Sequence, residues 1–172
     1  TVLSKLNADG KTFTINIDTN GEDTQYLDLH TMSASDKTSS TFSILTTTVL
    51  LGENITGVAL EGDFDGIEYN SSYVMDESSE EKLDWYTYDF LNHHIIPDSE
   101  VYIVEDRGVV FKVQFLNYYN SDGQRRHYTL LAAPLGNSSI PALTDESMVQ
   151  VTPCSIVALS YTHLTLPTTP YV

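Results

Sequence analysis

The chain has 172 residues, which suffices for one domain with its own core, and its 24 acidic and 8 basic side chains give a net charge of −16. Nucleic acids and anionic membrane surfaces are both bound through basic patches, so this charge argues against both partners. The single cysteine, Cys154, can form neither an intramolecular disulfide nor a thiolate cluster, and no apolar stretch is long enough to span a membrane.

The first half of the chain alternates short strand patterns with turn signals. Residues 12–18 alternate apolar and polar side chains, which predicts a half-buried strand, and an Asn-Gly pair predicts the turn after it. Residues 25–32 are predicted as a second strand and the polar residues 33–40 as a loop. The runs 42–51 and 55–60 are rich in β-branched and apolar residues and predict two further strands.

The second half contains the strongest alternation. Residues 69–81 are polar and acidic, with no helical stripe. Residues 101–104 predict a strand, 105–108 a turn, and 109–116 an antiparallel return strand, and 126–133 supply another strand. One face of the return strand is apolar throughout and should pack on the core. That face carries Val109, Phe111, Val113 and Phe115.

Many short strands and frequent turns favour an all-β fold. No stretch longer than two turns has a 3.6-residue period, and no repeat of solenoid or propeller length is present. We therefore predict a single antiparallel β-sandwich-like domain over residues 1–135. Residues 136–159 are an extension of undetermined status.

Residues 160–172, SYTHLTLPTTPYV, are predicted to be a non-native tail. Ser-Tyr-Thr-His-Leu resembles one reading frame of a common sequencing-library adapter. The alternative is a genuine Thr/Pro-rich extended tail. We exclude this segment, including His163, from the candidate site residues.

Residues 85–119, WYTYDFLNHHIIPDSEVYIVEDRGVVFKVQFLNYY, carry the most specific pattern of the chain. Its fixed points are Trp85, Tyr86, Tyr88, His93, Pro97, Val101, Val104, Gly108, Lys112, Tyr118 and Tyr119. In order and spacing this pattern resembles the C-terminal half of the HmuY family, the haem-binding lipoproteins of Bacteroidetes-type bacteria. Glu105 stands where the family has a basic residue, Arg107 is displaced to the turn, and a Trp-Asp pair usual in the family's first half is missing.

The resemblance implies a mostly β fold and a haemophore-like role in iron acquisition. Such a protein captures haem by axial ligation, from host haemoproteins among other sources, and passes it to a TonB-dependent outer-membrane receptor. It also implies an extracytoplasmic location, at the cell surface or secreted, with a signal peptide and a lipid anchor upstream of Thr1. The alternative is a non-haem surface β-sandwich module that binds glycan, protein or peptide, since exposed Tyr and Trp also serve such surfaces.

A haem site needs an aromatic slot and one or two axial donors, for which imidazole and thioether are both suitable. His93 aligns with the family's histidine, and Met75 lies where relatives place a ligand loop, so we predict these two as the iron ligands. The remaining predicted haem contacts are His94, Trp85, Tyr86 and Tyr88. The alternatives are that His93 and His94 are ordinary hairpin-end histidines and that Met75 covers core.

Other histidines and methionines are weaker candidates. His30 and Met32 are a poorer ligand pair on one predicted strand face. His127 adjoins two arginines at the start of a strand and is predicted to be a surface residue.

The basic residues near the C-terminal turns are candidate partners for the haem propionates, which a chain of this charge would otherwise repel. They are Arg107, Lys112, Arg125 and Arg126. The alternative is that they balance neighbouring carboxylates such as Asp106 and Asp122.

Other chemistries lack a matching motif. Asp63-x-Asp65-Gly66 suggests calcium, but Ile67, Glu68 and Val74 occupy positions where an EF-hand loop needs oxygen, glycine and glutamate. Nucleophile-elbow, HExxH and phosphate-loop motifs are absent, and no carboxylate pair stands out for glycoside hydrolysis. We therefore predict that the protein is not an enzyme.

Overall fold

A computed structural model describes residues 1–21, 23–73, 75 and 81–145. Its strands are β1 Val2–Leu6, β2 Phe13–Asp18, β3 Gln25–Asp28, β4 Ser33–Ala34, β5 Phe42–Leu45, β6 Thr48–Leu51, β7 Thr56–Leu60, β8 Tyr86–Asp89, β9 His94–Pro97, β10 Val101–Asp106, β11 Val109–Tyr119 and β12 Arg125–Pro134. A 3₁₀ turn at Phe64–Gly66 and a short helix, α1 at Pro141–Thr144, complete the described elements. The predicted all-β, sandwich-like fold is confirmed.

The strands form three antiparallel sheets. A six-stranded sheet has the order β1-β2-β12-β11-β10-β7, a four-stranded sheet has the order β4-β3-β5-β6, and β8 pairs with β9 in a separate hairpin. Every pairing is antiparallel.

The main core lies between the six-stranded and four-stranded sheets. Phe111, Val113 and Phe115 of β11 are buried there, as the alternation of the return strand predicts. Phe115 meets Phe42 of the facing sheet edge-on, with ring centroids 6.4 Å apart. Because strand side chains alternate between faces, these contacts fix which residues of β11 and β12 point outward.

A second apolar cluster covers the opposite, outer face of the six-stranded sheet. It comprises Phe64, Val101, Ile103, Ala133 and Leu135. Lys112 is buried on this face, and its Nζ donates hydrogen bonds to the carbonyl oxygens of Phe64 and Ile67. Burial lowers the pKa of Lys112 below the usual lysine value.

Several predicted strands differ in extent from those of the structure. The strand predicted at 25–32 ends at Asp28, because Asp28 Oδ1 accepts a hydrogen bond from His30 N and Met32 takes a left-handed φ of 49°. The strand predicted at 42–51 is the hairpin β5–β6, which turns at Thr46, where φ is 57°. The return strand is longer than predicted and reaches Tyr119.

Two buried carboxylates and a partly exposed arginine join the two sheets at the β10–β11 turn. Arg107 contacts Asp28 of β3 at 2.5 Å and Asp106 of β10 at 2.9 Å. Asp106 also accepts a 2.7 Å hydrogen bond from Thr41 Oγ1. The hydrogen bond to Asp106 raises the pKa of Arg107. The charge of Arg107, whose side chain is 48% exposed, is therefore paired with two carboxylates of the fold.

The described part of the predicted extension packs on the domain. Ile140 and Ala142 are buried in the main core, and Ala142 N donates to the carbonyl oxygen of His30 at 3.0 Å. The predicted tail at 160–172 lies outside the described residues. Among the residues that are described, none belongs to a helix long and apolar enough to cross a membrane.

Candidate ligand cleft

A cleft of about 200 Å³ opens where three turns meet at one end of the sandwich. The turns are those between β5 and β6, between β8 and β9, and between β11 and β12. The cleft is lined by Thr46, Thr47, Tyr88, His93, Ile95, Tyr118, Tyr119, Arg125 and Arg126. Two of the residues predicted as haem contacts, His93 and Tyr88, therefore face one space.

The β8–β9 tip is shaped by Asp89. Its Oδ1 accepts hydrogen bonds from the backbone N–H groups of Leu91 (2.9 Å) and Asn92 (3.3 Å), and its Oδ2 accepts one from Asn92 Nδ2 at 2.7 Å. The side-chain bond from Asn92, followed by the backbone bonds, lowers the pKa of Asp89. The turn ends at His93, whose φ of 53° is left-handed.

His93 is exposed and is oriented by Tyr88. Its Nδ1 lies 3.1 Å from Tyr88 Oη, and Tyr88 in turn meets Phe90 edge-on with centroids 4.9 Å apart. Phe90 and Leu91 at the tip are 79% and 91% exposed. Uncovered apolar side chains therefore lie in the same turn as the imidazole.

His94 does not share the environment of His93. Its ring stacks on Tyr119, with centroids 4.1 Å apart and planes 13° from parallel. Tyr119 Oη accepts a 2.9 Å hydrogen bond from Ile95 N, which ties the hairpin to the end of β11. Tyr119 thus forms part of the cleft wall, and His94 packs on it without lining the cleft.

Trp85 and Tyr86 lie below and beside the cleft. Trp85 is 1% exposed in the core, and its Nε1 donates to the carbonyl oxygen of Thr47 at 3.0 Å. Tyr128 Oη donates to the carbonyl oxygen of Thr46 at 2.6 Å, and burial raises the pKa of this phenol. Tyr86 is half-buried and packs on Trp85 at 4.8 Å. Trp85 therefore supports the cleft through Thr47 and offers no exposed face to a ligand.

The four basic residues predicted near the C-terminal turns separate into two pairs. Arg125 and Arg126 line the cleft, and neither guanidinium makes a hydrogen bond or ion pair with any residue that the structure describes. Arg107 is ion-paired with Asp28 and Asp106, and Lys112 is buried against backbone carbonyls. Two cations are therefore available to an anion in the cleft.

Met75 packs against the outer-face cluster that contains Phe64 and Val101. His93 lies on the other side of the six-stranded sheet, at the end of the main core. The structure does not bring these two predicted ligands together. Within the described ranges, no three His, Cys, Asp or Glu side chains form a metal-binding group.

The weaker candidates have structural partners. His30 Nε2 lies 3.0 Å from the carbonyl oxygen of Asp106, and its ring meets Phe111 edge-on at 5.2 Å. Met32 is fully buried in the core. His127 Nε2 lies 2.8 Å from Asn20 Nδ2, away from the cleft. None of the three faces His93.

Sequence reasoning missed the Thr46–Thr47 wall of the cleft. The run TTTVLL contains no Gly, Asn, Asp or Pro to signal a turn, so it favours an unbroken strand. What fixes this turn lies elsewhere in the chain, in Trp85 and Tyr128. Their N–H and O–H groups require hydrogen-bond partners when the rings are buried, and they find them in the carbonyl oxygens of Thr47 and Thr46.

No protein-family model matches the chain, and no curated protein matches it. Among solved structures, an apo HmuY analogue from Tannerella forsythia superposes with a TM-score of 0.60 at 10% identity, covering 80% of this chain and 98% of its own. A proposed HmuY-like haem-binding protein from Bacteroides vulgatus gives 0.55 at 16% identity, covering 75% and 94%. The fold is HmuY-like.

A proposed lipoprotein from Bacteroides fragilis shares this HmuY-like fold, with a TM-score of 0.53 at 15% identity and coverage of 75% of this chain and 92% of its own. At identities this low the likeness establishes a common architecture. What the cleft binds has to be argued from its own residues.

Proposed function

We propose that the cleft binds haem, with His93 as an iron ligand. One observation carries the proposal: an exposed imidazole and two arginines line the same cleft, whose walls include tyrosine rings. Neither arginine has an ionic partner among the residues that the structure describes. In a chain of net charge −16 such a local pair of cations suits a dianionic ligand. The HmuY-like fold supports the same ligand class.

His93 can present a nitrogen to iron in only one of its neutral tautomers. When Nδ1 carries the proton, it donates to Tyr88 Oη, and the lone pair of Nε2 is available for a metal. A hydrogen bond of this kind fixes the ring orientation and raises the basicity of the ligand. Tyr88 is thus the residue that positions His93.

Arg125 and Arg126 would neutralise the two propionates. Charge-assisted pairs between guanidinium and carboxylate are among the stronger hydrogen bonds, and their planar geometry adds orientation. The two arginines adjoin Tyr118 and Tyr119, so propionates held there would leave the ring directed toward the His93 side of the cleft.

The cleft is too small to enclose a macrocycle. Its volume of about 200 Å³ is below the roughly 300–1,000 Å³ of enclosing ligand pockets. A bound ring would therefore extend toward Phe90 and Leu91, whose exposed side chains supply apolar surface beside it. Haem would be held at a partly open site, in keeping with a protein that passes it on.

Met75 stays the predicted second ligand, yet its packing on the outer-face cluster favours a covering role. Ligation by His93 without Met75 therefore agrees better with the fold. Transfer of haem to an outer-membrane receptor, an extracytoplasmic location and the absence of enzymatic chemistry complete the proposal. The likeness to HmuY-like proteins and to a proposed lipoprotein supports these points.

Haemin titration followed by the Soret band tests the proposal. We expect the wild-type protein to give a saturable, sharp shift that His93→Ala abolishes or weakens by at least about tenfold. His127→Ala is the matched control, because this histidine is bonded to Asn20 outside the cleft and should leave the titration unchanged. Met75→Leu should also leave the spectrum unchanged.

A broad shift that is unaffected by His93→Ala would reject haem ligation and favour the non-haem surface module. A spectrum altered by Met75→Leu but not by His127→Ala would restore Met75 as second ligand. His94→Ala distinguishes ligation by His94 from indirect support of the cleft, since loss of stacking on Tyr119 should weaken binding without changing the type of spectrum.

A further inference from the structure

A groove of about 640 Å³ crosses the outer face of the four-stranded sheet. Its floor is one rung of the sheet, where Tyr26, Ser43 and Leu50 are direct partners on β3, β5 and β6. Leu45 and Thr48, also paired with each other, form the next part of the floor. The small Ser43 side chain between Tyr26 and Leu50 makes the rung concave.

Several side-chain hydroxyls around the groove form no hydrogen bond with the residues that the structure describes. The hydroxyls of Tyr26, Ser43 and Thr48 have no hydrogen-bond partner among the residues the structure describes. Ser40 also lines the groove, is only 5% exposed, and its hydroxyl has no partner within the described ranges. A buried hydroxyl without a partner costs free energy, and a bound ligand would satisfy it.

The charge of this groove differs from that of the chain. Although the protein carries −16 overall, the lining holds one cation, Lys37, and one anion, Glu53. The surface therefore neither attracts nor repels a charged ligand strongly. A tyrosine ring beside leucine side chains, with hydroxyls at hydrogen-bond range, matches molecules that have one apolar C–H face and a rim of hydroxyl groups.

We propose that this groove is a second binding site, which takes a short neutral oligosaccharide. The sugar rings would lie on Tyr26, Leu45 and Leu50. The hydroxyls of Ser40, Ser43 and Thr48 would form hydrogen bonds with the hydroxyl groups of the ligand. The site is separate from the His93 cleft and does not depend on the haem proposal.

Titration of the intact chain with cellohexaose, xylohexaose, mannohexaose and maltohexaose tests this site, by calorimetry and saturation-transfer NMR. We expect at least one of these sugars to bind with a Kd below about 1 mM. Ser43→Leu, which fills the floor of the groove, and Tyr26→Ala should each weaken that binding by about tenfold or more.

Thr129→Leu is the matched control, since it adds the same side chain to the outer face of the other sheet. His93→Ala should also leave sugar binding intact, which separates this site from the cleft. Circular dichroism and thermal melting establish that each variant is folded. Failure of all four sugars to bind, equal losses in Thr129→Leu and Ser43→Leu, or self-association through this face in sedimentation would overturn the proposal.

Discussion

At the scale of single residues, the guanidinium groups of Arg125 and Arg126 line the cleft without an ionic partner among the described residues. Arg107 lies in an ion network with Asp28 and Asp106, whereas the cleft pair has no such partner among the described residues. The same residue type therefore has a stabilising role at one turn and is available for binding at another. Position in the fold, rather than proximity in sequence, makes this distinction.

Replacing Arg125 or Arg126 with Gln should weaken haemin binding by several-fold each, because a propionate loses its cationic partner. The shape of the Soret spectrum should stay the same, since His93 is untouched. Haemin titrations at low and high salt measure both effects, and the variants should show a weaker dependence on salt.

Lys82→Gln is the control for lost positive charge, because Lys82 lies over Tyr86 outside the cleft lining. Equal losses of affinity in Lys82→Gln and Arg126→Gln would mean that net charge alone governs binding.

At the scale of elements, the β5–β6 turn is held by groups far away in sequence. Trp85 and Tyr128 each donate a hydrogen bond to a carbonyl oxygen of the Thr46–Thr47 pair. These bonds satisfy the polar atoms of two buried rings and place the turn as a cleft wall. The turn is therefore a product of tertiary structure.

Tyr128→Phe should lower the free energy of unfolding by about 1 kcal/mol, because it removes the hydrogen bond to Thr46 while keeping the ring. Chemical denaturation measures this difference. Tyr118→Phe is the matched control, since Tyr118 is also buried but its hydroxyl has no partner within the described residues. A comparable loss in both variants would show that the bond to Thr46 contributes nothing specific.

The contrast between β11 and β5–β6 shows what the sequence can predict. The alternation in β11 encodes burial directly, so its inward face is predicted residue by residue. Thr46–Thr47 lacks turn residues, and Asp28 ends β3 through a local side-chain bond that strand propensity does not reveal. Likewise His93 and Tyr88 are predicted as neighbours from their segment, but Arg125 and Arg126 join them only through sheet topology.

At the scale of the whole molecule, the excess of acidic residues brings carboxylates close enough to repel one another on parts of the surface. Glu61, Asp84, Asp98 and Glu100 line one surface depression. Desolvation, followed by repulsion from Asp98, Asp84 and Glu61, raises the pKa of Glu100. The folded state therefore holds the ionised form of Glu100 less favourably than the unfolded chain does.

Glu100→Gln should raise the melting temperature at pH 7. A raised carboxyl pKa means that stability falls as pH rises from the ordinary glutamate value of about 4.3 through the raised value, and stays lower above it. The gain should therefore vanish well below pH 4.3, where Glu100 is protonated in both states. Thermal melts across this pH range test the direction of the change in melting temperature. Glu105→Gln is the control, because Glu105 lies outside the depression. A rise in melting temperature that persists in acid would contradict the electrostatic cause.

The separate pairing of β8 with β9 makes the hairpin that carries His93 the least supported wall of the cleft. Because no third strand joins this hairpin among the described elements, its backbone hydrogen bonds open by local unfolding, at a smaller free energy than the strands of the six-stranded sheet. Backbone amide protons from Tyr86 to Ile96 should accordingly exchange with solvent before those of β11 and β12. Since His93 lies at the turn of this hairpin, such a local opening would move the imidazole away from Arg125 and Arg126 while the sandwich stays folded.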